Sequence, residues 1–188
     1  GRASRVKHLY WTGTLENINA SLTVDEIKAK CDKYTLQDAG VGFENKVHSI
    51  RSTGIAFVND PQISNMLWQL AHSVNKHSFG FEIESPPNIQ YTVYEKGDHY
   101  DWHIDTHWAN QDSLYDRKIS IIIQLTDYED YSGGDLELDT TSWDGSKEFC
   151  QQKGAILVFP SFLRHRVTPV TKGTRKSLVA WIEGRCFR

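Results

Sequence analysis

The chain has 188 residues, 39% hydrophobic and 12% aromatic, enough for one core that buries roughly 70% of the unfolded surface. A net charge of −3 and a pI near 6.2 give no overall pull toward phosphate backbones, and the apolar runs fall far short of the ~20 residues a membrane-spanning helix needs, so neither a nucleic-acid nor a membrane partner is expected. Cys31, Cys150 and Cys186 form an odd set without a C-x-x-C pair, which argues against a disulfide framework or thiolate zinc site and fits a reducing, cytoplasmic setting.

The first residues, Gly1-Arg2-Ala3-Ser4, lack an initiator methionine and are left out of the fold reading. Residues 6–14 read as a strand. Thr23 followed by Glu26 is a capping-box pattern, and Val24, Ile27 and Cys31 then share one face of a helix expected over 24–34. A further strand is expected over 50–58. Asp60-Pro61 reads as an N-cap with proline in the first turn, and Ile63, Leu67, Leu70, Ala71 and Val74 carry a second helix over 61–76. After Phe79 the texture changes to short valine-, isoleucine- and aromatic-rich segments divided by Gly, Pro, Asn and Asp. Strands are expected over 79–84, 89–95, 100–105, 118–125, 135–138, 147–150, 155–159, 164–170 and 176–183. That spacing implies a mainly β fold, a double-stranded β-helix or jelly roll, with the N-terminal helices buttressing its outer face. No repeat or linker divides the chain. Residues 1–188 therefore read as one domain, with a support region over 1–78 and a catalytic core over 79–188.

Four residues carry the chemistry. His103 and Asp105 lie two apart in a strand, so imidazole and carboxylate face the same side and can chelate one ion. His165, arriving from another strand, completes a facial 2-His-1-carboxylate set with open positions on the metal. Arg175 follows ten positions later and opens the apolar run Leu178-Val179-Ala180-Trp181, which predicts an inward-facing guanidinium suited to a carboxylate. This is the donor set of an iron(II) oxygenase that uses a 2-oxo acid. His107 continues the alternation, but a set spread from His103 to His107 would span about 13 Å of extended strand, too far for one ion. Asp127, Glu129, Asp130 and Asp135 lack calcium-loop spacing and read as a solvated turn closed by Gly133-Gly134. The long segment 106–117 is expected to form a substrate-side flap, and Trp181 to line the pocket behind the metal.

From Tyr91 to Glu183 the chain resembles the jelly roll of 2-oxoglutarate and iron(II)-dependent dioxygenases in the prolyl 4-hydroxylase superfamily. Tyr94-Glu95-Lys96-Gly97, His103-Ile104-Asp105, the segment from Glu129 to Leu136 and the segment from His165 to Arg175 resemble PKHD-type hydroxylases in particular. The resemblance implies that His103, Asp105 and His165 bind Fe(II), while Arg175 grips the distal carboxylate of 2-oxoglutarate. It further implies Tyr94 as a co-substrate contact, O2 as oxidant and ascorbate as an accessory. Ser177, two residues beyond Arg175 on the same strand face, offers a hydroxyl to the same carboxylate. Some relatives place another aromatic contact in the next strand, where this chain has Ile121-Ile122-Ile123. Because Asp105 is retained, hydroxylation is expected over halogenation. The expected substrate is a prolyl residue of a peptide or protein. The alternatives are a free amino acid or other small molecule, or a non-catalytic metal-binding jelly roll. The Arg-x-Asn-x-Thr-x-Arg signature of nucleic-acid demethylases does not follow His165.

Overall fold

A computed structural model describes residues 8–39, 50–108 and 113–186. Its largest element is a seven-stranded antiparallel sheet in the order β1-β10-β7-β13-β5-β4-β2. These strands are β1 (Trp11–Thr14), β2 (Gln37–Asp38), β4 (Gly54–Phe57), β5 (Asn88–Tyr94), β7 (Tyr115–Gln124), β10 (Ala155–Pro160) and β13 (Arg175–Arg185). A second sheet has the order β3-β6-β11-β9, from β3 (Arg51–Ser52), β6 (His99–His103), β9 (Leu136–Leu138) and β11 (His165–Val167). A two-stranded ribbon pairs β8 (Tyr131–Gly133) with β12 (Val170–Gly173). The fold is the expected jelly roll.

The large sheet is buried on both faces, which explains why its central strands read as nearly continuous apolar runs. On one face Ile119, Ile121 and Ile123 of β7 pack with Ile156 and Val158 of β10 and Leu178, Ala180 and Ile182 of β13. Helices α1 (Val24–Cys31) and α2 (Pro61–Val74) cover that face through Ile27, Cys31, Ile63, Leu67 and Leu70. The three β7 isoleucines are fully buried, each contributing about 1.5–3 kcal/mol of transfer free energy. The opposite face meets the smaller sheet through Tyr94, Ile122, Leu157 and Phe159 on one side and Leu136, Leu138 and Val167 on the other. Alternation along β5 therefore sends Ile89, Tyr91 and Val93 toward the helices and Gln90, Thr92 and Tyr94 between the sheets.

Both helices start where the sequence signals them. Thr23 and Glu26 form the reciprocal capping box, and Asp60 accepts the Ile63 amide ahead of Pro61. Beyond Val74 a π-helical turn (Asn75–Phe79) ends at Gly80 in the left-handed region.

Five strand expectations need correction. Residues 79–84 form no strand, because the Asn75 side-chain amide takes both backbone groups of Phe81, at 2.8 Å each. Residues 147–150 form a one-turn helix, α3 (Lys147–Cys150); a four-residue stretch is too short for its period to tell helix from strand. The expected strand over 164–170 breaks into β11 and β12 at Thr168-Pro169, where proline has no N–H to give. The strand over 50–58 splits at Thr53 into β3 and β4, which join different sheets. The strand over 6–14 shortens to β1, and residues 1–7 lie outside the described residues. Cys31 and Cys150 are buried free thiols and Cys186 is exposed. No helix among the described residues is long and apolar enough to cross a membrane.

Candidate active site

The ends of three strands bring the predicted chemistry together. His103 closes β6, Asp105 follows two residues past it, and His165 opens β11 directly opposite His103. Ile104 between the two β6-side ligands is 44% exposed, as the alternation requires. The donor atoms of the three lie within 4.8 Å of one another. Asp105 Oδ1 is 3.4 Å from Nε2 of each histidine.

Backbone carbonyls fix both imidazoles. His103 Nδ1 bonds the Asp101 carbonyl at 2.7 Å, and His165 Nδ1 bonds the Leu163 carbonyl at 2.9 Å. Since a carbonyl only accepts, Nδ1 carries the proton and Nε2 keeps its lone pair toward the cluster. Burial pushes His165 below its ordinary value, keeping it neutral and able to ligate at neutral pH. Burial opposes the charge on Asp105, but the positive charge that His165 and His103 carry when protonated, a part a metal ion takes over when they ligate as neutral imidazoles, outweighs it together with the Ser120 hydroxyl and holds the carboxyl well below the usual carboxylate range. Two imidazoles and one carboxylate, all aimed at one point, fit a divalent iron.

Arg175 opens β13 opposite Tyr94 and is 2% exposed, its guanidinium 5.3 Å from the Tyr94 ring. No carboxylate among the described residues pairs with it. A desolvated guanidinium without an anion is costly, and the space it faces is lined by Tyr94, Thr92, Ser177, His103, Asp105 and His165. A dicarboxylate reaching from the metal cluster to Arg175 would supply the missing partner. Burial raises the Tyr94 hydroxyl, which stays protonated as a donor. Ser177 is buried beside Thr92 and Gln124 in register. Gln124 itself is tied to the Tyr131 hydroxyl at 2.8 Å.

His107 stands apart from the cluster. It is exposed, and its backbone N–H bonds the Asp116 carboxylate at 2.9 Å. The expected flap over 106–117 is shorter than its sequence suggests, since β7 begins at Tyr115; residues 109–112 lie outside the described residues. The acidic segment after β7 is a capped turn from Tyr128 to Asp130. Gly133 and Gly134 follow at positive φ, and a Cβ on Gly133 would sit 2.2 Å from the Pro169 carbonyl oxygen. A wider cleft against α2, lined by Trp11, Met66, Leu70 and His77, has no carboxylate, cysteine or arginine in its lining and offers no comparable chemistry.

Several site residues escaped the sequence reading. Tyr100 stacks on His103 with ring centroids 3.5 Å apart, and Arg51 lies over the Tyr100 ring at 4.6 Å. Strict alternation puts residues 100 and 103 on opposite faces, but a bulge sets Val167 against Tyr100 and His165 against His103, placing both rings together. Arg117 stacks over Trp181 at 3.9 Å. Arg117 Nε and Trp181 Nε1 are buried donors without a partner among the described residues; Trp181, unlike the others, was expected at the site, and it lines the pocket.

The family model described as the 2OG-Fe(II) oxygenase superfamily matches residues 89–183, about half of the chain. The chain belongs to this superfamily. Among its relatives, a PKHD-type hydroxylase of Gloeothece citriformis is 33% identical over 127 residues, 67% of this chain and 52% of that protein. A PKHD-type hydroxylase of Nitrosomonas europaea is 31% identical over 133 residues, 66% of this chain and 57% of that protein. The chain thus spans about half the length of the curated relatives it matches. In fold it is similar to a prolyl-4-hydroxylase of Pseudomonas putida, with a TM-score of 0.70 at 20% identity over 95% of this chain and 94% of that one. It is also similar to a prolyl hydroxylase of Trichoplax adhaerens bound to a hypoxia-inducible-factor peptide, with a TM-score of 0.66 at 16% identity over 93% and 83%.

Proposed function

We propose that this oxygenase hydroxylates an unactivated C–H bond, with a prolyl residue of a peptide or protein as its substrate. In this reading His103, Asp105 and His165 hold Fe(II), and Arg175 pairs with the distal carboxylate of 2-oxoglutarate. The observation that carries it is the buried guanidinium of Arg175, without a carboxylate partner among the described residues, in the same pocket as three converged ligand atoms. Tyr94 and Ser177 add hydroxyl donors on the Arg175 side. When bound, iron with 2-oxoglutarate and O2 supplies the oxidising power, the co-substrate losing carbon dioxide to become succinate.

The chain's own residues do the rest. The two Nε2 atoms and Asp105 Oδ1 would hold the metal, on which co-substrate and oxygen would bind. Arg175 aligns the dicarboxylate bidentately. Ile122, Leu136, Val167 and Val179 line the pocket and exclude water from it. The prolyl-hydroxylase names of the fold relatives and the peptide bound to the Trichoplax enzyme support the same substrate class.

The test is turnover of 2-oxoglutarate by the iron-loaded protein against proline-containing peptides, read by mass spectrometry. Peptide products bearing one added oxygen on proline support the reading. Oxygenation of free amino acids alone would move the assignment to small-molecule hydroxylation.

A further inference from the structure

Asp105 is held by more than its place at the end of β6. Its backbone N–H donates to the Ser161 carbonyl at 2.9 Å, and its Oδ2 lies 2.7 Å from Ser120 Oγ on β7. Ser120 Oγ is in turn 2.9 Å from Ser161 Oγ. Both serines are fully buried, so water does not compete for these bonds. The proton directions follow from counting. An ionised carboxylate only accepts, so the single Ser120 proton goes to Asp105, and Ser161 must donate to Ser120. The chain runs Ser161 O–H to Ser120 O–H to Asp105 Oδ2, with each bond polarising the next.

The clamp occupies the oxygen that points away from the histidines and leaves Oδ1 facing both Nε2 atoms at 3.4 Å. We propose that Ser120 and Ser161 are positioning residues that hold Asp105 with Oδ1 turned toward the two Nε2 atoms, in the orientation in which it would ligate the metal. This rests on the iron-site reading above. Released from Ser120, the carboxylate is free to turn away from the two Nε2 atoms, which weakens the site for a divalent ion.

The test is Mn(II) affinity of the whole chain, followed by loss of the free-ion electron paramagnetic resonance signal, with thermal melting of the metal-free protein alongside. Ser120→Ala is expected to weaken Mn(II) binding about 10-fold, the low end of what supporting residues of metal ligands contribute. Ser161→Ala should weaken it less, and Ser120→Thr, which keeps the hydroxyl, should restore it. Because Ser161 acts through Ser120, adding Ser161→Ala to Ser120→Ala should cost no further affinity, whereas independent packing losses would add. Unchanged affinity in Ser120→Ala, or additive losses in the double variant, would overturn the clamp. If Ser120→Ala does not fold, Ser161→Ala decides alone: unchanged affinity overturns the clamp, and a loss beyond any shift in melting supports it. Wild-type protein that takes up no Mn(II) would instead overturn the metal site on which the clamp depends.

Discussion

Arg175 is a buried guanidinium without a carboxylate partner among the described residues. Its 2% exposure is tolerable if the fold is completed by a ligand, and a charged hydrogen-bonded pair of this kind contributes about 1.5–3 kcal/mol. Arg175→Gln should therefore weaken 2-oxoglutarate binding roughly 10- to 100-fold while leaving metal affinity nearly unchanged, as read by anaerobic calorimetric titration. Equal co-substrate affinity in the variant would remove Arg175 from that role. Arg175, His103, Asp105 and His165 were legible in the sequence because their types and order are tied to metal and carboxylate chemistry. Tyr100 was not, because a bulge breaks the alternation used to sort faces. Ser120 and Ser161 were not, because a serine hydroxyl carries no spacing signal and its partner is set only by the fold. Arg117 fell in a segment expected to be loop, although β7 already includes it.

Among the elements, α2 depends on a cap that two parts of the molecule share. Asp60 accepts the Ile63 amide at 3.0 Å and the Lys30 ammonium, from α1, at 2.9 Å. Asp60→Ala should cost about 1 kcal/mol, lowering the melting temperature by roughly 2–4 °C for a domain of this size, with Asp60→Asn recovering most of the loss. A melting temperature that does not move would show that the cap contributes nothing. Both helices announced themselves through side chains that bond the adjacent backbone, so local sequence sufficed to find them. The expected strands over 79–84 and 147–150 failed for the complementary reason. Asn75 removes Phe81 from any ladder, and the turn from Trp143 to Gly145 leads straight into α3. The split of 50–58 between two sheets likewise has no mark in the local pattern.

At the scale of the whole molecule, the large sheet separates a helix-covered core from the chemistry, and a polar pin helps hold the helical layer down. Asp32, just past α1, accepts from Tyr91 on β5, from Lys176 on β13 at 2.9 Å and from Lys28 at 3.1 Å. Partial burial works against the Asp32 charge, but the Tyr91, Lys176 and Lys28 bonds outweigh it and bring the group down from 3.8 to about 2. A carboxylate with a depressed folded value binds fewer protons than its unfolded counterpart, so its contribution is fully present above pH 3.8 and lost as pH falls toward 2. With the side chain 36% exposed, solvent screening keeps the effect small. Acid unfolding of Asp32→Asn should accordingly show a shallower loss of stability between pH 4 and 2 than wild type, and identical slopes would release Asp32 from the pin. The other face of the same sheet presents Tyr94, Arg175 and Ser177 to the metal ligands across the jelly roll. The most direct test of that arrangement is anaerobic addition of Fe(II) and then 2-oxoglutarate to the protein, watched for the weak visible charge-transfer band of a 2-oxo acid chelated to ferrous iron. The account predicts that the band appears in wild type and is lost in His165→Ala. Iron bound to the wild-type protein without any such band would contradict it.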